Sequence, residues 1–153
     1  MAIRNIVQIG DEVLRKKSIE VTVFDEKLHQ LLDDMKETLK KAEGAGLACV
    51  QVGVLKRIFI VDLEEEGYVE FINPVILQQK GGAFGNEGCL SIKGKWGKVM
   101  RPTKVKIKAQ DRFGKEFTIT AKNFFARAIC HEFDHLEGIV YTDRATELYE
   151  ERK

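Results

Sequence analysis

The hydrophobic period changes twice along this chain of 153 residues. Near the beginning and near the end, apolar residues recur about every 3.6 positions, as on one face of a helix. In the middle of the chain they alternate with polar residues, as in strands that have one buried face. The predicted fold class is therefore α+β, with mainly antiparallel strands packed around a central helix, and a single domain over residues 1–153.

Two helices are predicted from caps and apolar stripes. The first begins after Asp25, a residue type that caps helix N-termini well, and is predicted to end at Gly44. The second begins near Asn123 and ends at Gly138. The charged tail at 146–153 is predicted to be a short helix or a frayed end. The stripe of the first helix comprises Leu28, Leu31, Leu32, Met35 and Leu39.

Two hairpins are predicted between these helices. Residues 57–63 and 68–72 form the first, joined by an acidic turn at 64–67. Residues 104–110 alternate cleanly and return through a turn at 111–114. The second hairpin is expected to have one wet face, because lysines occupy every second position of its first strand.

Composition and charge exclude several classes of protein. The 25 basic and 24 acidic residues give a net charge of +1, which argues against a general polyanion binder. No run approaches the roughly 18 apolar residues of a membrane span, and the N-terminus is a poor signal peptide. Three cysteines are an odd number, which favours a reducing compartment. We therefore expect a cytoplasmic protein without a membrane partner.

The sequence HEFDH at 131–135 carries the strongest chemical signal. On a helix, His131 and His135 lie one turn apart on the same face, so both imidazoles can reach one metal ion. Glu132 then projects beside the ion and can carry a proton without being a ligand. The alternative is a helix with two partly buried histidines and an ordinary carboxylate.

A catalytic metal site usually needs a third protein ligand. His29 lies among the leucines of the first helix and is expected at the surface or the boundary of the core. Cys130 precedes His131 directly and points about 100° away on a helix. Cys49 lies in a short apolar run and is interpreted as a small buried hydrophobe. Cys89 follows a glycine-rich stretch, and the residues alone leave open whether it is a ligand or a buried strand cysteine.

Three segments together resemble the three motifs of peptide deformylases. GAGLACVQ at 44–51 is similar to the family pattern GxGLAAxQ, EGCLS at 87–91 matches its second motif, and HEFDH at 131–135 matches HExDH. The segment at 6–15 is also similar, so the resemblance spans nearly the whole chain. Three motifs in order are specific, and they imply a single deformylase-like catalytic domain over residues 1–153.

The resemblance implies that Cys89, His131 and His135 bind the metal. It implies Fe²⁺ as the cofactor, with Zn²⁺ or Ni²⁺ as substitutes. It also implies that metal-bound hydroxide attacks a formyl carbon at the N-terminal formylmethionine of newly made polypeptides and releases formate.

The resemblance gives catalytic roles to three further groups. It implies that Glu132 is the general acid/base, and that Gln51 and the backbone N–H of Leu90 stabilise the oxyanion. Glu87 and Arg101 are expected to be supporting charges, or members of a structural ion pair.

The resemblance also implies an apolar slot for the methionine side chain. It places Ala45, Gly46, Phe124 and Ala128 at this substrate site, with Arg127 at its edge. The alternative for the apolar members is plain core. The implied partners are N-formylmethionyl nascent polypeptides, with transient proximity to the ribosome and no specific nucleic acid.

Two other functions fit parts of the sequence. An HExxH metalloprotease would take a third His or Glu downstream, but it would leave the segment around Cys89 unexplained. A non-catalytic Cys/His metal-binding module would need a fourth protein ligand. The basic stretch at 93–108, which contains Trp96, could bind nucleic acid or form the solvated face of a strand.

Overall fold

The computed structural model describes residues 2–150, which form two helices and two antiparallel sheets. The helices are α1 (Glu26–Ala42) and α2 (Asn123–Leu136). The strands, in chain order, are β1 (Gly46–Ala48), β2 (Ile58–Leu63), β3 (Gly67–Lys80), β4 (Ala83–Cys89), β5 (Ile92–Arg101), β6 (Lys104–Gln110), β7 (Glu116–Lys122) and β8 (Glu147–Glu150).

The larger sheet has the strand order β1-β2-β3-β6-β7, and the smaller sheet has the order β4-β5-β8. Every pairing within the two sheets is antiparallel. The predicted α+β class with antiparallel strands is thus confirmed. For the pairs β2–β3, β4–β5 and β6–β7 it follows from short connections, because neighbouring strands that are joined by tight turns must run in opposite directions.

The two helices cover opposite faces of the larger sheet. Helix α2 packs on the face that carries Phe59, Phe71 and Ile107. Helix α1 packs on the other face, over Ile58 and Ile60 at the β1–β2 side. Helix α2 also touches β5 of the smaller sheet, so it lies centrally between the two sheets.

The helix ends follow from local residues. The Asp25 side chain accepts a hydrogen bond from the N–H of Leu28 at 3.1 Å, as predicted for an N-cap. Helix α1 ends slightly earlier than predicted, because Glu43 and not Gly44 adopts the left-handed conformation at φ 55°. Gly138 has φ 75° directly after the cap of α2, a conformation that glycine adopts at little cost.

The predicted hairpins are present, but β3 is longer than expected. It continues to Lys80 across two register irregularities and pairs with β6 as well as β2. The polar residues of its second half hid this extension, because they lie on an exposed sheet face.

The prediction of a helix or a frayed end after Thr146 was wrong for the described part of that tail. Residues 147–150 form β8, which pairs with β5, while 151–153 lie outside the described residues. The physical reason is cross-strand pairing: Trp96 stacks on Tyr149 with ring centroids 4.2 Å apart. Lys98 and Glu147 add an ion pair at 3.6 Å. Such partners are invisible to a local pattern.

Within residues 2–150, neither helix combines the length and the apolar character needed to cross a membrane.

Candidate active site

Three ligand-type side chains meet where β4 ends against α2. The ligand atoms of Cys89, His131 and His135 lie within 4.8 Å of one another. The two histidine rings have centroids 5.1 Å apart, because positions four apart share one helix face. Cys89 is the last residue of β4, and its Sγ lies 3.4 Å from Nε2 of His135. The strand thus delivers the thiol to the helix that carries the imidazoles.

The separations in this cluster fit a bound transition metal. Metal–sulfur and metal–nitrogen bonds of about 2.3 and 2.0 Å at a tetrahedral angle would hold the ligand atoms about 3.6 Å apart. The 3.4 Å between Cys89 Sγ and His135 Nε2 is close to that value. Burial lowers the pKa of His135 well below its usual value, which favours the neutral imidazole that binds metals.

The other candidate ligands lie outside the cluster. Cys49 and Cys130 are buried free thiols, and burial raises the pKa of each, to about 12 and about 11. His29 Nε2 lies 2.9 Å from the backbone oxygen of Arg112. The structure therefore separates Cys89 from the alternatives that sequence reasoning had considered.

Glu87 orients the first histidine. Its Oε1 accepts a hydrogen bond from Nδ1 of His131 at 2.8 Å, which leaves Nε2 of that ring for a metal. Glu87 is buried and lies on β4, two residues before Cys89. Because side chains alternate along a strand, both residues face α2.

A buried charge network holds Glu87 in place. Arg101 donates to both oxygens of Glu87, at 2.8 and 2.9 Å, and to Asp134 at 2.7 Å. Burial alone would raise the pKa of Glu87, but the hydrogen bonds from Arg101 and His131 hold it well below its usual value. Arg144 also donates to Asp134. We call Glu87, Arg101 and Asp134 the buried charge network.

The side chain of Glu132 lies beside the cluster, and one of its two oxygens accepts no hydrogen bond from the described residues. Its Oε2 lies 4.0 Å from Nε2 of His131, and its buried Oε1 has no hydrogen-bond partner among the described residues. Burial raises the pKa of Glu132 to about 7. A pKa near neutrality suits a group that must both accept and donate a proton.

Gly46 makes room for this carboxylate. A Cβ atom at that position would lie 2.7 Å from Oε2 of Glu132, closer than real contacts allow. Strand β1 therefore passes directly against the acid/base candidate, and the glycine permits that approach.

Gln51 points its amide at the thiol. Its Oε1 accepts a hydrogen bond from the N–H of Ala48 at 2.9 Å, which orients the side chain. Its Nε2 lies 3.1 Å from Ser91 Oγ and 3.5 Å from Cys89 Sγ. Leu90 directly follows Cys89 and lines the same cavity.

One cavity of about 840 Å³ opens in front of the cluster. All of the sequence-predicted site residues line it except His135, which is buried behind it. Ala128 is buried in the wall, whereas the side chain of Phe124 is 57% exposed at the mouth. Arg127 is not free at the edge: its guanidinium is bound to Glu87 at 2.7 Å and to two backbone oxygens.

Sequence reasoning missed one wall of the cavity. The N-terminal residues 3–6 line it, together with Lys41, Lys93 and Lys95. None of these residues belongs to the three motifs, and they show no periodic signal that would place them at the cavity. Their position depends on contacts over long sequence distances, such as the bonds from the Ala2 and Arg4 N–H groups to Asp34 and Thr38 of α1.

An antiparallel α+β fold that presents a Cys/His/His cluster and a buried glutamate to one cavity defines a metal-dependent hydrolase of the HExxH type. The family model described as polypeptide deformylase matches residues 3–151. The chain belongs to the polypeptide deformylase family, and this membership decides against the metalloprotease and the non-catalytic module.

Individual relatives agree with the family match. The peptide deformylase of Caldicellulosiruptor bescii is 52% identical over 153 residues, which are 100% of this chain and 92% of the relative. The crystal structure of the Thermotoga maritima enzyme has a TM-score of 0.93 at 37% identity and covers 95% of this chain and 99% of that one. The Ehrlichia chaffeensis enzyme, solved with actinonin, has a TM-score of 0.93 at 36% identity, over 95% and 90% of the two chains.

Proposed function

We propose that this chain removes the formyl group from the N-terminal formylmethionine of newly made polypeptides and releases formate. The observation that carries the proposal is that Cys89, His131 and Glu132 line one cavity, with Oε2 of the glutamate 4.0 Å from Nε2 of His131. The proposed catalytic domain comprises residues 1–153.

Cys89, His131 and His135 would hold a divalent metal. A thiolate and two imidazoles suit Fe²⁺, Zn²⁺ and Ni²⁺, and three protein ligands leave a position open for chemistry. Fe²⁺ is the proposed cofactor, with the other two as substitutes. When bound, such an ion supplies Lewis acidity and makes water easier to deprotonate at neutral pH.

Glu132 moves the proton in this proposal. Its carboxylate takes a proton from the attacking water and gives it to the departing amine nitrogen, while the carbon–nitrogen bond of the formamide breaks. Burial supports this role, because it raises the pKa of Glu132 to about 7 and so lets the group work in both directions. The backbone at Gly46 keeps the carboxylate in place from the other side.

Gln51 and the N–H of Leu90 stabilise the negative charge that develops on the formyl oxygen. The orientation of the Gln51 amide is set before substrate arrives, because its Oε1 is already bound to the N–H of Ala48. Preorganised donors of this kind stabilise a transition state without reorganisation.

The methionine side chain enters the apolar part of the cavity. Ala45 and Ala128 leave space there, Gly46 keeps the floor open, and Phe124 covers the mouth with its exposed ring. Arg127 lies at the edge of this slot, where its ion pair with Glu87 holds it in place. The substrates are nascent polypeptides, so we place the enzyme in the cytoplasm, in transient proximity to the ribosome.

A substrate comparison tests the reaction. The metal-loaded enzyme should release formate from a formyl-Met tripeptide and should turn over the acetyl-Met analogue very poorly, since the added methyl meets the crowded end of the cavity. Replacing methionine with glutamate should also slow turnover, because an apolar slot cannot solvate a carboxylate. Equal turnover of the formyl and acetyl peptides would contradict the proposed site.

A pair of cysteine variants tests the metal ligands. Cys89→Ser should bind metal poorly, since a serine hydroxyl is much harder to deprotonate than a thiol. Cys130→Ala removes a thiol on the same helix as both histidines but outside the cluster, and should keep the metal. The measurement is the metal content of both variants after anaerobic purification. Full metal content in Cys89→Ser would refute the assignment.

Loss of activity in peroxide tests the identity of the ion. Iron-loaded enzyme should decay in air or peroxide, whereas nickel-loaded enzyme should persist, since ferrous iron reduces oxygen species at an open position. Equal decay of the two forms would argue against a redox-sensitive iron site.

A further inference from the structure

Five lysines from three neighbouring strands share one face of the larger sheet, and three of them are exposed while Lys104 and Lys108 are half-buried. Strand β3 contributes one, β6 three and β7 one, and all five point away from α2. We call them the lysine face: Lys80, Lys104, Lys106, Lys108 and Lys122.

The strand register places these lysines in rows. Lys80, Lys104 and Lys122 are direct cross-strand partners. Neighbouring strands lie about 4.8 Å apart, so this row puts three positive charges side by side. Like charges opposite one another destabilise a sheet. The next two rows hold Lys106 and Lys108 at their centres.

Within residues 2–150, the lysine face forms no ion pair with an acidic side chain. Among residues 2–150, no carboxylate oxygen lies within 4.0 Å of an amine of the lysine face. Lysines of the smaller sheet differ, since Lys95 pairs with Glu150 and Lys98 with Glu147. The basic stretch at 93–108 therefore lies on two surfaces. In the part of the chain that the structure describes, two of the three β5 lysines have an acidic partner and Lys93 has none, whereas no member of the lysine face has one.

Neither helix covers the lysine face. Helix α1 covers the same side of the sheet only at β1 and β2, over residues such as Ile58 and Ile60. Helix α2 packs on the opposite side. The positions beside Lys106 and Lys108 hold Gln78, Thr118 and Thr120, whose side chains are exposed hydrogen-bond donors. The remaining position holds Val75, an apolar residue that is 48% exposed.

We propose that the lysine face docks on the phosphate backbone of structured RNA. Lysine ammonium groups bind phosphates as point charges, and Thr and Gln side chains donate to phosphate oxygens. The face presents no arginine or aromatic ring that would read or stack on bases, so docking is independent of sequence. The choice of RNA rests on the proposed function, because nascent polypeptides emerge from a ribonucleoprotein.

Other occupants fit this surface less well. A second copy of the chain would bring like charges together. An anionic membrane would be bound most firmly by an amphipathic helix or by inserted aromatic rings, neither of which lies on this face. The larger sheet separates the lysine face from α2, so a docked RNA leaves the cavity open to a nascent chain.

Binding to a duplex RNA tests the proposal on the full-length, metal-loaded protein. The probe is a labelled 20-base-pair RNA duplex, followed by fluorescence anisotropy between 50 and 200 mM salt. Five phosphate contacts would weaken binding about 10²–10³-fold over that range. The triple variant Lys104→Gln, Lys106→Gln, Lys108→Gln should bind at least about tenfold more weakly at 50 mM salt and should lower the salt slope by about 3.

A matched control removes the same charge elsewhere. Lys16→Gln, Lys17→Gln, Lys27→Gln changes three exposed lysines away from the lysine face and should keep RNA affinity and slope. Both triple variants should release formate from a short formyl-Met peptide at the wild-type rate, which separates this proposal from the deformylase proposal. The salt slope of the wild-type protein tests docking even if one variant fails to fold.

Two results with the duplex would overturn the proposal: no binding of the wild-type protein at 50 mM salt, or an equal loss of RNA affinity in both triple variants. A third measurement is binding to vesicles of phosphatidylserine and phosphatidylcholine. The proposal would also be overturned if the lysine-face variant lost affinity for these vesicles and kept its affinity for the duplex. The last result would identify an anionic membrane as the partner.

Discussion

The buried charge network and the lysine face differ in the burial and in the ion pairing of their charged side chains. In the network, Arg101 binds Glu87 and Asp134, and all three groups are buried. On the lysine face, Lys80, Lys104 and their neighbours are turned to water, and none meets a carboxylate among the described residues. The network lies between the smaller sheet and α2, whereas the lysine face belongs to the larger sheet, on the side away from α2.

This difference indicates which charged residues contribute to the stability of the fold. A buried ion that loses its partner keeps the full cost of leaving water, whereas an exposed ion is screened by solvent and salt. We therefore expect large losses of stability from substitutions in the network. On the lysine face we expect small changes, and even gains, because the charges there only repel one another.

The largest effect is expected from Arg101→Met. The substitution removes the buried cation between Glu87 and Asp134 and leaves each acid with a single arginine, Arg127 and Arg144 respectively, which should lower the free energy of unfolding by about 3 kcal/mol. Urea unfolding measures it. The control is Arg15→Met, which removes an arginine from an exposed pair with Asp143 and should cost about 0–1 kcal/mol. Similar losses in the two variants would refute the distinction between buried and exposed pairs.

The next effect concerns catalysis within the buried region. Glu132→Gln should lower kcat/KM by at least about 10²-fold, equal to about 2.7 kcal/mol, while metal content and unfolding stay close to wild type. Glu137→Gln, a change in an exposed carboxylate next to the same helix, should be nearly silent. If Glu132→Gln loses its metal, the residue is a ligand and the proton-transfer role is wrong.

A smaller loss is expected from Gly46→Ala. The new Cβ would lie 2.7 Å from Oε2 of Glu132, so the carboxylate must shift, and kcat should fall about tenfold. Gly88→Ala is a sharp control, because both glycines line the cavity but the nearest atom to a Cβ at Gly88 is 3.6 Å away. Equal losses would mean that filling the cavity, and not displacing Glu132, causes the effect.

Sequence patterns predicted the parts of the molecule that depend on near neighbours. The helix that carries His131 and His135 follows from spacing, and the hairpins follow from alternation and turn residues. Cys89 became a candidate ligand through motif resemblance, and local periodicity could not decide its role. The catalytic roles of Glu132, Gln51 and Leu90 stay predictions until the variants are measured.

The parts that sequence reasoning missed depend on register between distant strands. Lys80 and Lys122 join Lys104 only because β3 and β7 flank β6 at one register. Strand β8 forms because Tyr149 pairs with and stacks on Trp96, which lies about fifty positions earlier in the chain. A local pattern carries no information about which strand lies beside another, so neither feature could be read from the sequence.

The smallest effect has the most informative sign. Lys104→Gln removes the central charge of the row with Lys80 and Lys122, so it should raise the free energy of unfolding by about 0.2–1 kcal/mol at low salt. Lys98→Gln makes the same change on an exposed strand where Glu147 is the partner, so it should lower that free energy by about 0.2–1 kcal/mol. Urea unfolding at 20 mM and at 1 M salt separates charge from strand propensity, because the Debye length falls to about 3 Å at 1 M and only the electrostatic part disappears. The two variants should therefore differ in sign at low salt and converge at high salt. If Lys104→Gln destabilises the protein at low salt and this loss disappears at 1 M salt, a charge partner that stabilises the lysine face must exist within the isolated chain, and the case for an external polyanion would be lost.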